Sequence, residues 1–181
     1  MVNMPTAAAP ARYWAMDRRR QRLAQALDET GLWRAAEPAE RQAQLAAIVE
    51  GAYPLHLPVF DDVCFPADGE ALAEGGIEAL LKAMSPALAE HGLRLKVRRH
   101  DGNVLINDWS CGECPTAFTA TVRPLSVVNS LLAQVGAAIR VYTLYTGGSQ
   151  GLAYLVDPRV VRAMRLSGLY DRRELPELAA V

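Results

Sequence analysis

The spacing of apolar residues changes at Gly92, and this change divides the chain into two parts. Before Gly92, apolar side chains recur at intervals of three and four residues, which is the helical period. This pattern predicts helices over 12–35, ended or bent by Gly31, and over 38–51, beginning near Pro38. A third helix, acidic and amphipathic, is predicted over 70–91, after a proline-rich connector at 52–69.

After Gly92, apolar and polar residues alternate, as they do in a half-buried strand. Asp101-Gly102 is a strong signal for a two-residue hairpin turn. Pro124 and Asp157-Pro158 each mark a helix start, and glycines at 136 and 168 mark the corresponding ends. The predicted elements are strands near 93–98, 104–106, 118–122, 139–145 and 152–156, with helices at 124–135 and 158–167.

These elements predict an α+β fold. An antiparallel sheet of about five strands, in the order β-β-β-α-β-β-α, follows the N-terminal helices, because short hairpin links join neighbouring antiparallel strands. We expect one domain over 13–169, with a helical part at 13–91 and a sheet part at 93–169. The segments 1–12 and 170–181 are expected to be tails with little order.

The charge balance argues against a general affinity for nucleic acid or anionic membranes, because the formal net charge is −1. The sequence has no apolar run of membrane-spanning length and no secretory signal at its start. Three cysteines leave one unpaired in any disulfide scheme. A cytoplasmic protein with reduced thiols is therefore expected.

The charge is also uneven along the chain. Residues 51–91 hold seven acidic residues against Lys82 alone, whereas 92–181 hold eleven basic residues against seven acidic ones. Solvated faces would explain this, but an acidic surface could also recognise a basic partner. Aromatic residues on the sheet could complete such a surface, since Tyr and Trp are enriched at interfaces. The predicted partner-binding residues are Asp61, Asp62, Glu70, Trp109, Tyr142 and Tyr145.

Cys111 and Cys114 form a C-x-x-C motif, which could supply half of a tetrahedral zinc site. No second pair is present, so Cys64 or a histidine would have to complete the ligands. The pair could also be a redox dithiol, but such sites begin a helix, and the residues after Pro115 are predicted to form a strand. Two unligated thiols in a loop are the third interpretation.

Neither a nucleophile elbow nor a phosphate-binding loop is present. The segment 147–151 is rich in glycine but lacks the lysine and the following helix of a phosphate-binding loop, so it is predicted to be a hairpin turn. The sequence therefore offers no recognisable catalytic set, and an enzymatic role is not expected.

Three stretches carry a resemblance to a protein family: 104–109, 127–132, and 140–148 with 156–158. Through them the segment 93–167, less than half of the chain, resembles a loose group of bacterial proteins. Many of these look like immunity proteins encoded beside secreted polymorphic toxins. The resemblance implies a protein partner, and it implies no particular functional residue.

The leading hypothesis is a non-enzymatic cytoplasmic protein that binds another protein, in one form an immunity protein that blocks a toxin. It rests on the missing catalytic set, the acidic segment and the resemblance. The alternative is a small zinc- or thiol-dependent protein built on Cys111 and Cys114. A small-molecule sensor, or a subunit of a larger assembly, is the third possibility.

Overall fold

The computed structural model describes residues 11–51, 63–100 and 103–180. The helices in chain order are α1 (Ala11–Glu29), α2 (Pro38–Glu50), α3 (Gly69–Ala71), α4 (Ile77–Glu90), α5 (Ala117–Gln134) and α6 (Pro158–Ser167). The strands are β1 (Cys64–Pro66), β2 (Val97–His100), β3 (Asn103–Ile106), β4 (Trp109–Ser110), β5 (Arg140–Leu144), β6 (Leu152–Val156) and β7 (Glu177–Leu178). The structure leaves out residues 52–62 of the predicted connector, residues 1–10 of the predicted N-terminal tail and residue 181 of the predicted C-terminal tail.

Local sequence signals explain where most helices begin and end. Helix α2 starts at Pro38 and is followed by Gly51, whose left-handed backbone closes the helix. Helix α6 is capped by Asp157, which accepts a hydrogen bond from the Arg159 N–H, and it is followed by Gly168, also left-handed. The predicted boundaries of both helices are confirmed.

The predicted acidic helix is present, with a kink. Asp68 caps α3, and a π-helical stretch, Leu72–Gly76, joins α3 to α4. Within this stretch Gly75 has a φ of 114°, which departs from helical geometry. A positive φ of this kind is readily available only to glycine, so the Gly75-Gly76 pair sets the position of the kink.

Four strands form sheet A, in the order β1-β6-β5-β7, with every neighbouring pair antiparallel. Alternate residues of its strands face opposite sides. Val141 and Leu155 pack in the cluster that contains α4 and α5, whereas Leu144 and Tyr154 pack in the cluster that contains α1 and α6. Sheet A is therefore the middle layer, and we call its two sides the α5 face and the α1/α6 face.

Three strands form sheet B, in the order β2-β3-β4, which contacts α5 through β3. His100 pairs with Asn103, so two residues connect β2 and β3, as the hairpin prediction requires. Those two residues, Asp101 and Gly102, lie outside the description. A second two-residue turn, Asn107-Asp108, connects β3 to β4, and both residues have a positive φ, as a type I′ turn requires.

The predicted strand at 118–122 is wrong, because these residues form the first turns of α5. Thr116 caps this helix in a reciprocal pair with Thr119, and Pro124 lies inside the helix rather than at its start. The alternation of Phe118, Ala120 and Val122 resembled a strand, but the capping pair fixes a helix N-terminus two residues earlier. The third strand of the predicted order is β4 instead.

The expectation of a poorly ordered tail at 170–181 is also wrong for the described residues. Strand β7 pairs with β5, and the Ala179 N–H donates to the Val141 carbonyl at 3.1 Å. Asn129, buried in α5, donates from Nδ2 to the carbonyls of Val141 and Ala179, both at 2.9 Å, and its Oδ1 accepts from the Val141 N–H at 2.7 Å. This one amide ties the C-terminal segment to α5 and β5.

The α+β fold class is confirmed, as are the antiparallel pairing, the leading helices and the order β-β-β-α-β-β-α from β2 to α6. The strands are divided between two sheets rather than gathered in one. Strand β1 precedes the segment from β2 to α6, and β7 follows it. These two strands form the edges of sheet A and bring it to four strands.

Candidate functional site

The structure distributes the predicted partner-binding residues over several parts of the fold. Trp109 is exposed on β4 of sheet B, and Tyr142 is half-buried on the α1/α6 face of sheet A. Glu70 and Tyr145 are both exposed, and they belong to two segments whose backbones touch. Asp61 and Asp62 lie outside the described residues. The candidate surface is therefore the one that carries Glu70 and Tyr145.

Three chain segments meet beside these residues at what we call the glycine junction: 67–69, 117–118 and 147–151. The Gly69 N–H donates to the Gly148 carbonyl at 3.1 Å. A Cβ on Gly69 would lie 2.6 Å from the Cα of Gly147 and 3.0 Å from the Cβ of Ala117. Any larger residue would separate these backbones, so the close approach depends on glycine.

A second close contact fixes the other end of the glycine junction. The Ala67 N–H donates to the Gly151 carbonyl at 2.7 Å, and a Cβ on Gly151 would lie 2.3 Å from the Ala67 carbonyl oxygen. The predicted turn at 147–151 is confirmed, and it is held against β1 by main-chain contacts. Surface side chains carried by such a closely packed backbone are positioned before any partner arrives.

Both helices that begin at the glycine junction have capped N-termini. The Asp68 carboxylate accepts from the N–H groups of Glu70 at 2.9 Å and Ala71 at 3.1 Å. Thr116 Oγ1 accepts from the Thr119 N–H at 3.1 Å, and Thr119 Oγ1 accepts from the Thr116 N–H at the same distance. Capping satisfies the donors that would otherwise attract a phosphate. The surface is therefore better suited to side-chain recognition than to binding an anion.

Two exposed aromatic residues are associated with the glycine junction: Phe118 belongs to it, and Tyr145 lies two residues before Gly147. Phe118 is 57% exposed and Tyr145 is 40% exposed, so both rings are available for apolar contacts with another molecule. Tyr145 also has a φ of 53°, in the left-handed region that bulky residues rarely adopt. Holding a residue there costs about 1–3 kcal/mol, and strain of this kind clusters at functional positions. Tyr145 therefore combines an exposed aromatic ring with a strained backbone.

Sequence reasoning missed Phe118 as a surface residue because it placed Phe118 in a strand. The signal that could have found it is the spacing of Thr116 and Thr119, a capping pair that starts a helix. Thr121 and Leu125 lie on the buried side of α5. Phe118, in the first turn of the same helix, faces outward.

One acidic residue of the predicted acidic segment, Glu78, is paired with an arginine of the same chain. Arg99 of β2 donates from Nε to Glu78 Oε1 at 3.1 Å and from Nη2 to the Gly75 carbonyl at 3.3 Å. Glu70 and Glu74 are exposed and form no ion pair with the described residues. Two unpaired acids therefore lie at the α3 end, next to the glycine junction.

The three cysteines do not come together. Cys64 packs on the α1/α6 face, whereas Cys111 and Cys114 lie in the loop after β4, against the cluster of the α5 face. Burial raises the pKa of Cys64 to about 11. Burial and the neighbouring Cys114 thiol raise the pKa of Cys111 to about 11. A metal or a redox role for Cys111 and Cys114 stays a prediction.

Within residues 11–51, 63–100 and 103–180, no group of three or more His, Cys, Asp or Glu side chains is placed to hold a metal ion. A cleft of about 730 Å³ is open to solvent between the end of α1 and the start of α2. There Arg41 makes a two-bond ion pair with Asp28 at 2.6 Å for each bond. This pairing lowers the pKa of the Asp28 carboxyl.

Comparison of the chain with known protein families, with characterised proteins and with solved structures finds no match. In the part of the chain that the structure describes, no helix combines the length and the apolar character needed to cross a membrane. The candidate surface therefore has to be interpreted from its own geometry.

Proposed function

We propose that this protein binds another protein through the surface of the glycine junction, with Tyr145 and Phe118 as the central contacts. The observation that carries the proposal is Tyr145, an exposed aromatic residue in a left-handed backbone conformation. Asn or Gly would occupy this conformation at lower cost. A tyrosine kept there at the cost of backbone strain is explained if its side chain meets a partner.

The chemistry of the two aromatic residues favours a protein partner. Tyr and Phe provide large contact areas while losing little conformational entropy, and aromatic residues are enriched in the central part of interfaces. The glycine junction also holds their backbones in place, which lowers the entropic cost of association. A small-molecule site would instead require an enclosed pocket.

Charge favours a basic partner. Glu70 and Glu74 lie at the edge of the surface, and neither forms an ion pair with a base in the part of the chain that the structure describes. Charges at the edge of an interface mainly increase the rate of association with an oppositely charged molecule. The resemblance of 93–167 to immunity proteins supports a more specific form of the proposal. In that form the protein neutralises a basic toxin in the cytoplasm by covering its active site.

The test is affinity capture from lysates of cells that produce the protein, with quantitative mass spectrometry of the retained proteins. Phe118→Ser and Val135→Ser are compared with the wild type, because both residues are exposed apolar residues at opposite ends of α5. We expect one stoichiometric partner to be retained by the wild type and by Val135→Ser. Loss of a central aromatic contact costs about 2 kcal/mol or more, so Phe118→Ser should weaken retention about thirtyfold.

Equal retention of that partner by both variants would contradict the proposed surface. Because Phe118 is exposed, the Phe118→Ser protein should unfold at the same midpoint as the wild type. Weaker retention of the partner would then reflect the lost contact and not a loss of structure.

A further inference from the structure

Helices α1 and α6 pack against each other on the α1/α6 face and leave a groove of about 380 Å³ between them. Small residues line its floor, among them Ala26 and Ala163, so another backbone can approach closely. Leu166 lies on one wall and is 75% exposed, the largest exposed fraction among the large apolar side chains of the described residues. The groove is apolar inside and open to solvent.

The rim of this groove is strongly basic. Arg19 and Arg22 line it from α1, and the guanidinium of Arg19 lies near Gly168 at the end of α6. Helix α6 carries two further exposed arginines outside the lining of the groove, Arg162 and Arg165, and it contains no acidic residue. All four arginines lack an ion-pair partner among the described residues.

Arg41, Arg98, Arg99 and Arg159 each pair with a carboxylate of the same chain. Arg19 and Arg22 belong to the larger set of arginines that have no ion-pair partner among the described residues. The edge of the groove is therefore a local concentration of positive charge in a chain whose formal net charge is −1.

We propose that the α1/α6 groove binds an acidic amphipathic helix of a partner protein. The apolar side of that helix would cover Leu166 and the alanine floor, and its carboxylates would reach the arginines on the rim. Side chains of a third helix can interdigitate with those of two packed helices, which is how an amphipathic helix enters a groove. Arginine is well suited to the rim because it binds carboxylates with two parallel hydrogen bonds.

The shape of the groove favours this occupant over two other acidic ones. A nucleic acid is held mainly through its phosphates and gains little from an alanine floor and an exposed leucine. A membrane surface requires a broad apolar face, whereas the apolar strip here is narrow and lies between arginines. The proposal does not rest on the glycine junction, which lies at another part of the fold.

The test uses fluorescence anisotropy with a labelled synthetic peptide of about five helical turns. The peptide carries leucines on one helical face and glutamates on the other. We expect saturable binding by the wild-type protein at low salt. Arg19→Glu/Arg22→Glu, at the two arginines that line the groove, should weaken it by about tenfold or more. Arg94→Glu/Lys96→Glu, with the same change in net charge on the sheet B side, should not.

A second variant separates a change of charge from a change of structure. Leu166→Ala leaves every charge in place and alters a side chain that is mostly exposed, so folding is preserved. It should weaken binding several-fold, because burial of a leucine side chain contributes to amphipathic recognition.

Four results would overturn the proposal. The first is the absence of saturable binding of the acidic peptide. The second and third are equal binding of a peptide with lysine in place of glutamate, and equal binding of a peptide in which the same residues are scrambled. The fourth is tighter binding of duplex DNA or anionic phospholipid vesicles than of the peptide. The scrambled peptide is the sharpest control, since it keeps the charge and removes the apolar face.

Discussion

The two faces of sheet A are held in different ways. On the α5 face, Asn129 satisfies three main-chain groups of β5 and β7, and the glycine junction brings three backbones into contact. On the α1/α6 face the contacts are mainly apolar. Two buried polar atoms there, Trp33 Nε1 and the Tyr154 hydroxyl, have no hydrogen-bond partner among the described residues.

This difference indicates that specific polar contacts fix the α5 face, whereas apolar packing holds the α1/α6 face. Apolar packing is less directional, so it tolerates small shifts of one element over another. The fixed face carries the glycine junction, and the apolar face carries the arginine-lined groove. Recognition at the first surface should depend on shape, and recognition at the second should depend on charge and salt.

The largest expected effect is on the α5 face, at Asn129. Asn129→Ala removes three hydrogen bonds and leaves the Val141 N–H and the Ala179 carbonyl without their amide partner. We expect the free energy of unfolding to fall by about 3 kcal/mol, since each lost bond contributes roughly 1 kcal/mol and the remaining polar groups stay buried. Urea denaturation measures this value.

Ser130→Ala is the matched control, because Ser130 follows Asn129 in α5, is exposed and bonds only within its own helix. An equal loss of stability in the two variants would show that the Asn129 contacts do not fix this face.

The next effect concerns the close approach of backbones at the glycine junction. Gly69→Ala places a methyl group 2.6 Å from the Cα of Gly147, and main-chain atoms cannot move aside cheaply. The expected loss is about 2–3 kcal/mol, the usual cost of overpacking. Gly136→Ala is the control, since Gly136 has a φ of 72° but open space around its Cα. It should lose only about 1 kcal/mol, from the backbone conformation alone.

Denaturation of both glycine variants in parallel separates steric contact from backbone conformation. A Gly69→Ala protein as stable as the wild type would mean that the three segments are not in close contact.

Alkaline pH should weaken both faces, because each contains one buried cysteine. The pKa of Cys64 is raised to about 11 from the 9.0 of an exposed thiol, and that of Cys111 is raised equally. The folded state therefore keeps these protons longer than the unfolded state. The stabilisation is complete below about pH 9 and is lost as pH rises toward 11.

We expect the free energy of unfolding to fall by about 2.5 kcal/mol between pH 8 and pH 10, which follows from two thiols with such a shift. Cys64→Ala and Cys111→Ala should each remove about half of this dependence. The same pH profile in both variants and the wild type would exclude the thiols as its cause.

The helices and strands with strong local signals could be predicted from the sequence. Pro38, Gly51, Asp157 and Gly168 fix the ends of α2 and α6 through side-chain and backbone preferences that act within a few residues. Four of the five strands predicted after Gly92 followed in the same way, from alternation and turn residues.

The errors arose where distant contacts outweigh local patterns. Phe118, Ala120 and Val122 alternate like a strand, but capping at Thr116 and packing of Thr121 and Leu125 in the core make them helical. The residues after Tyr170 look like a polar tail, yet β7 pairs with β5 and its end is bound by Asn129 from 50 positions earlier in the chain. Neither contact leaves a signal in the neighbouring sequence.

The candidate site was predictable only in part. Glu70 and Tyr145 were identified by residue type, whereas their proximity depends on Gly69 and Gly147 meeting in space. The strain at Tyr145 could not be foreseen, because a positive φ at tyrosine has no sequence signature.

On the α1/α6 face one substitution should increase the free energy of unfolding, in contrast to the losses expected for the variants above. The Tyr154 hydroxyl is buried without a hydrogen-bond partner among the described residues, and the thiol of Cys64, a weak hydrogen-bonding group, lies beside it. Tyr154→Phe removes the unsatisfied group and keeps the ring. The free energy of unfolding should rise by up to about 1 kcal/mol. A loss of 1 kcal/mol or more in thermal denaturation would show that the hydroxyl has a partner, and the contrast between the two faces would be smaller than described.

The central claim, that Tyr145 is retained for binding in spite of strain, is tested most directly by Tyr145→Asn. Asparagine adopts left-handed backbone conformations more readily than tyrosine, so the free energy of unfolding should rise by about 0.5–1 kcal/mol. Retention of the captured partner should fall about thirtyfold, the loss expected for a central contact. A variant that is less stable than the wild type and still retains the partner fully would contradict the account.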